Sequence, residues 1–173
     1  WLTILLGLGL IILAIISLFE STLSQVNVLV LFQPLILGMA GNTGTQSLAV
    51  TIRGLGNQYY LDRDEAHNHV QRELKSGMLN GLIIGALGFF TTLGFLFITG
   101  AKDANPWLVA TTVSFALFFA LSIASLFGAA VPLILHRLGF DPAAASGPFI
   151  TTLNDVIALV IYFSLATVII LSL

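Results

Sequence analysis

Long apolar runs separated by short polar breaks make up most of the chain. An apolar stretch of about 17–25 residues is what a helix needs to cross a hydrocarbon core of roughly 30 Å. The first such run covers 2–19 and is closed by Glu20, Ser21 and Thr22, with Gln25 and Asn27 at the turn. The second, about 26–52, is interrupted by Gln33, Pro34, Asn42 and Gln46. The third runs over about 77–98, the fourth over 107–135 and the fifth over 143–173, with polar turns at 100–106 and 136–142. The pattern predicts an all-α integral membrane fold with five transmembrane helices. Residues 53–76 differ in kind. Arg53, Asp62, Arg63, Asp64, Glu65, Arg72, Glu73 and Lys75, more than half of the charged residues, fall there. Asp62 or Asp64 is placed to cap a helix that continues through Lys75 into the third span. Within that span Gly77, Gly81, Gly85 and Gly88 recur at one-turn spacing. Such a stripe lets helix backbones approach closely in lipid, and is read here as packing.

Composition fixes the solvent. Hydrophobic residues are 57% of 173 and charged residues 8%, with a mean hydropathy of +1.02. A soluble domain carries roughly 25% charged residues, so most of this surface must face lipid. A net charge of −2 gives no footing for nucleic acid, and the absence of cysteine excludes thiol and disulfide chemistry. The chain opens on Trp1 inside an apolar run, the expectation for a fragment of a longer protein. Lys and Arg accumulate on cytoplasmic loops. Arg53, Arg63, Arg72, Lys75 and Arg137 would share one side and Lys102 the other, which predicts an inner or plasma membrane protein with its amino end cytoplasmic and its carboxyl end outside. Trp1 and Trp107 sit at span ends, where interface anchors belong.

Candidate chemistry rests on the polar atoms inside spans. A charge at mid-span costs on the order of 2.5–3.5 kcal/mol by insertion scales, and Asp155 is the one carboxylate so placed. No Lys, Arg or His shares its span, so its partner must come from another helix, another subunit or an ion. Gly147, Thr151 and Asp155 are spaced by four and share one helix face. Pro148 lacks a backbone donor, which predicts freed carbonyls near Ala144 and Gly147. The result is an oxygen-lined strip of the kind hard divalent cations prefer. The second span adds Pro34, Asn42, Thr43, Gly44, Thr45 and Gln46, a Gly/Pro-interrupted polar cluster that lipid tolerates only where it is buried or lines a cavity. Two such segments in one bundle predict a permeation path lined by these residues and Pro148. An intramembrane aspartyl protease would need two carboxylates in one site, and the chain offers one, so no enzyme is expected. His67 and His69 read as solvated helix surface.

Three stretches carry a family resemblance. The first is Pro34 with Gly38-Met39-Ala40-Gly41-Asn42-Thr43-Gly44-Thr45-Gln46-Ser47 and Arg53-Gly54-Leu55. The second is Leu138-Gly139-Phe140-Asp141-Pro142-Ala143. The third is Gly147-Pro148-Phe149 with Thr151-Thr152-Leu153-Asn154-Asp155. Together with Phe19-Glu20 they strongly resemble the MgtE magnesium channel/transporter family over essentially the whole of 1–173. The resemblance implies a homodimer with one pore at the two-fold interface, lined by the second and fifth spans. It also implies a hydrated Mg²⁺ held by Asp155 of both subunits, with Thr151 and Gly147 helping through their carbonyls. Some relatives carry Asn at the position of Gly147, so no side-chain role follows there. The cytoplasmic regulatory domains usual in the family are absent from this stretch, which implies conduction without magnesium-dependent closure. The expected function is magnesium-selective movement of divalent cations down their electrochemical gradient. Its competitors are an ion-coupled Mg²⁺ exchanger, a broader divalent (Co²⁺) transporter and, more remotely, a non-conducting scaffold subunit.

Overall fold

The computed structural model describes residues 2–60, 62–100, 105–144 and 147–171. Trp1, Lys102, residues 145–146 of the expected fifth span and its last residues 172–173 lie outside them. Six helices follow one another: α1 (Leu2–Leu18), α2 (Glu20–Gln25), α3 (Leu29–Gly56), α4 (Arg63–Thr99), α5 (Pro106–Arg137) and α6 (Gly147–Leu171), with a 3₁₀ turn at Pro142–Ala144 before α6. The described residues hold no strand.

Three of these helices are long and apolar enough to cross a membrane: Arg63–Thr99, Pro106–Arg137 and Gly147–Ile170. Leu5–Leu18 of α1 is apolar but shorter. The 28 residues of α3 are long enough, but with its Asn, Gln, Thr and Gly positions it is not one of those three. Glu20, Ser21 and Thr22, expected to close the first span, and Gln25, expected at the turn, lie in α2 instead.

Local chemistry sets the ends. Asp62 precedes α4 in an extended conformation, although its side chain makes no capping bond. Gly100 closes α4 in the left-handed region at φ 65°, where a side chain would be strained. Asn105 caps α5 by accepting from Trp107 N, and Pro106 fills the first helical position, where a missing N–H removes no bond.

The bundle is built around α5. It packs along α4, α3 and α6, while α1 lies on α6. A stripe of small side chains on α5, Ala116, Ala120, Ala124 and Gly128, is fully buried and lets its neighbours close in. The core above it consists of Leu29, Ile36, Leu117, Leu121, Tyr162 and Phe163.

The glycine stripe of α4 packs as expected. A methyl at Gly81 would stand 2.7 Å from the Phe118 carbonyl oxygen, and one at Gly85 2.8 Å from that of Ser114, both on α5. This face does not stop at Gly77. It continues toward the amino end through His69 and Ala66, which are buried, and toward the carboxyl end through Thr92 and Leu96. The solvated reading of His69 is therefore corrected, because its ring lies on the inward stripe of a helix that runs unbroken out of the apolar zone.

Candidate functional site

The sequence of α3 argues for a broken helix around its glycines, yet the helix is continuous. Thr43 Oγ1 donates to the Met39 carbonyl at 2.9 Å, and Thr45 Oγ1 reaches the Gly41 and Asn42 carbonyls at 3.0 Å. The helix's own carbonyls thus satisfy the threonine hydroxyls. The glycines meanwhile are contact points. Gly44 abuts the Asn154 amide, and Gly128 of α5 abuts the Gly44 carbonyl so closely that a methyl on either glycine would collide.

Pro148 also departs from expectation. It is the second residue of α6, where no helical donor is missing. The Gly147 carbonyl is not free but accepts the Thr151 hydroxyl at 2.8 Å.

Where α3 crosses α6, a cleft of about 240 Å³ opens between Gly38, Gly41, Asn42 and Thr45 on one side and Thr151 and Asp155 on the other. Asp155 is partly exposed there, its Oδ1 3.8 Å from where a Gly41 methyl would stand. Among the described residues it has neither a cation nor a hydrogen-bond donor as partner. Thr151 closes one wall, its methyl 3.0 Å from the same Gly41 position. Of the candidate residues, the structure brings Asn42, Thr45, Thr151 and Asp155 together. Gly147 stands at the edge, 3.8 Å from the Thr45 methyl when extended by a Cβ. Gly44 is buried behind the cleft, Thr43 is partly buried, and Pro34, Gln46 and Pro148 are exposed outside its lining.

Asn154 was not among the candidates. It is 2% exposed, and neither its amide nitrogen nor its oxygen has a partner among the described residues. An unpaired buried amide costs roughly 1–3 kcal/mol. It packs against Gly44 of α3, directly beside Asp155 in the chain. An amide inside an apolar span was the available signal.

A second polar cluster joins α3, α4 and α5 at the charged end of α4. Ser47 Oγ lies 2.7 Å from Glu73 Oε2 and 2.9 Å from the Ser125 carbonyl, and Ser125 Oγ donates to the Glu73 carbonyl at 2.8 Å. Thr51 Oγ1 and His69 Nε2 are 2.8 Å apart, and the Tyr60 ring stacks on the imidazole at 4.3 Å. His69 stands in the charged stretch outside the apolar length of α4, and burial lowers its pKa from 6.5. Burial likewise raises that of the Tyr60 phenol. Among the described residues no group of three or more His, Cys, Asp or Glu side chains is placed to hold a metal, so His67 and His69 form no such site.

Comparison with known proteins adds to this geometry. The model of the MgtE family, described as a divalent cation transporter, matches residues 33–165. A magnesium transporter MgtE of Bacillus subtilis is 43% identical over 173 residues, all of this chain and 36% of its own length. The magnesium transporter MgtE of Enterococcus faecalis is 41% identical over 167 residues, 96% of this chain and 35% of its own. That of Thermus thermophilus is 38% identical over the same extent. The chain therefore spans about a third of the length of the curated relatives it matches.

Proposed function

The chain belongs to the MgtE family of divalent cation transporters, and on that premise we propose that it forms a magnesium-selective path at the two-fold axis of a homodimer. The observation that carries the reading is the α3–α6 cleft, where a partnerless carboxylate, Asp155, faces Asn42, Thr45 and Thr151. Five spans per subunit are the matching topology, with α1 and α3 counted as the first and second. The amino end is then cytoplasmic.

The proposed mechanism follows from the chemistry of the ion. Mg²⁺ holds its waters in a near-octahedral shell at roughly 2.0–2.1 Å and gives them up reluctantly. A single carboxylate makes a weak inner-shell site. Two carboxylates related by the two-fold axis, with hydroxyl and amide oxygens around them, bind the waters instead of the metal. The cleft of about 240 Å³ has room for several waters in each protomer, at roughly 30 Å³ apiece in the liquid. Outer-shell binding avoids most of the dehydration cost, so entry and exit are both fast. Thr151 sets the width of the site by closing one wall. Asn154, packed against Gly44 of α3, fixes the rotation of α6 that points Asp155 into the cleft.

Magnesium flux into liposomes holding the purified chain tests this, with calcium and cobalt as competitors. The expected result is flux driven by the magnesium gradient alone, reduced at least tenfold in Asp155→Asn, while the variant elutes and melts as wild type. A wild-type rate in that variant removes Asp155 from the mechanism. Flux that requires a second ion gradient favours an exchanger, cobalt moving as fast as magnesium favours the broader transporter, and no flux at all favours the scaffold.

A further inference from the structure

We propose that the seam between the first turns of α4 and the last turns of α5 is a binding site for the headgroup of an anionic phospholipid. Arg63 and His67 stand one turn apart on α4, and Arg137 ends α5 opposite them, around a cavity of about 160 Å³. Val70, Leu133 and Ile134 form its apolar wall. Three cationic or donor side chains thus ring a pocket whose floor is hydrocarbon. That pairing matches a phosphodiester joined to acyl chains.

The details favour an unfilled anion site over a finished salt-bridge network. Among the described residues neither Arg63 nor Arg137 has an ion-pair partner. Asp62, Asp64 and Glu65 are neighbours of Arg63 in sequence but do not line the cavity. The Gln71 amide nitrogen, a donor only, lies 2.8 Å from His67 Nε2. That contact occupies Nε2 and leaves the other ring nitrogen for a phosphate oxygen.

Position gives the ligand's source. α5 stays apolar to Leu135, and Ile134 at 55% and Leu138 at 65% exposure lie beside Arg137. The basic rim therefore meets the apolar surface at the level where lipid headgroups reside. Basic pockets between transmembrane helices bind lipid headgroups in this way, the anionic leaflet adding its own attraction. A free phosphate would use the rim and leave the apolar wall uncovered.

The test measures the thermal stability and lipid retention of the detergent-purified chain, titrated with phosphatidylglycerol, phosphatidylcholine or inorganic phosphate. Phosphatidylglycerol should stabilise wild type and remain bound through purification, whereas phosphatidylcholine and phosphate should not. Each basic side chain near an anionic surface contributes roughly fivefold in affinity, so Arg63→Gln with Arg137→Gln should weaken binding about 25-fold. Both positions are exposed, so the double variant should fold as wild type without lipid. Arg53→Gln with Lys75→Gln removes as much charge elsewhere and should bind normally. Equal effects of the two double variants would reduce the site to general charge attraction and overturn it. Equal binding of phosphatidylcholine would also overturn it, and stabilisation by inorganic phosphate alone would make this a soluble-anion site.

Discussion

Gly38 and Gly44 sit six residues apart in one motif, and their surroundings are opposite. A methyl at Gly38 meets nothing within 4 Å, while one at Gly44 strikes the Asn154 amide and comes within 3.3 Å of the Ala124 carbonyl. In a single copy of the chain Gly38→Ala should therefore raise stability by about 0.5–1 kcal/mol, because alanine is the better helix former. Gly44→Ala should lower it by roughly 1–3 kcal/mol through overpacking. Thermal unfolding in one detergent checks both, and a destabilised Gly38→Ala would mean that a surface outside this chain packs there. The motif's composition announced a polar stretch but not this division of labour. Whether a glycine opens a cleft or seats a neighbouring helix depends on what α5 and α6 place opposite it. Asp155 was legible because a charge among apolar residues is an anomaly by itself. Asn154 was not, since its burial depends on Gly44 of another helix.

At the scale of elements, the apolar runs located α4, α5 and α6 well, because the hydrophobic length of a span is written directly in composition. The integrity of α3 was hidden, since the close packing of α5 and α6 around Gly44 holds a helix that propensity alone would break. His69 was misjudged for a simpler reason. Its neighbours Asp64, Glu65 and Asn68 are polar, but the glycine stripe extended backwards from Gly77 at helical spacing reaches Glu73, His69 and Ala66. This gives a pH dependence of known sign. Burial lowers the imidazole's pKa in the folded chain below 6.5. As pH falls below that value the unfolded state takes up a proton that the folded state refuses, so stability declines. Glu73 opposes this shift and Arg72 reinforces it, both through charge. Wild type should lose more melting temperature than His69→Gln between pH 7 and pH 5. Parallel curves for the two would mean that the Thr51–His69–Tyr60 contact does not report on protonation. The same contact ties α3 to α4, so its loosening in acid should raise proteolysis between Gly56 and Arg63 before the bundle melts.

The whole molecule presents a polar face that one copy of the chain leaves uncovered. Pro34, Gly38, Asn42 and Gln46 lie exposed along α3, at near-helical spacing, and the Asp155 cleft opens beside them. Facing hydrocarbon, amides and a carboxylate in that position would be costly. On α4, by contrast, the exposed side chains include Leu79, Leu87 and Phe90, which suit lipid. A second copy docked through α3 and α6 would cover the first face and leave the second to the bilayer, and it would bring two Asp155 side chains toward a common axis. The pattern of apolar runs could not supply this, because it records which residues avoid water but not which of them meet another protein. The absence of cysteine makes the arrangement directly testable. Single replacements Leu35→Cys and Gln46→Cys on α3, and Phe90→Cys on α4, can be treated in membranes with a short bismaleimide. The two α3 positions should give covalent dimers and Phe90→Cys should remain monomeric. Dimers from all three in equal amount would signify random collision in the bilayer. Dimers from Phe90→Cys alone would put the interface on α4 and leave the two carboxylates too far apart to share an ion.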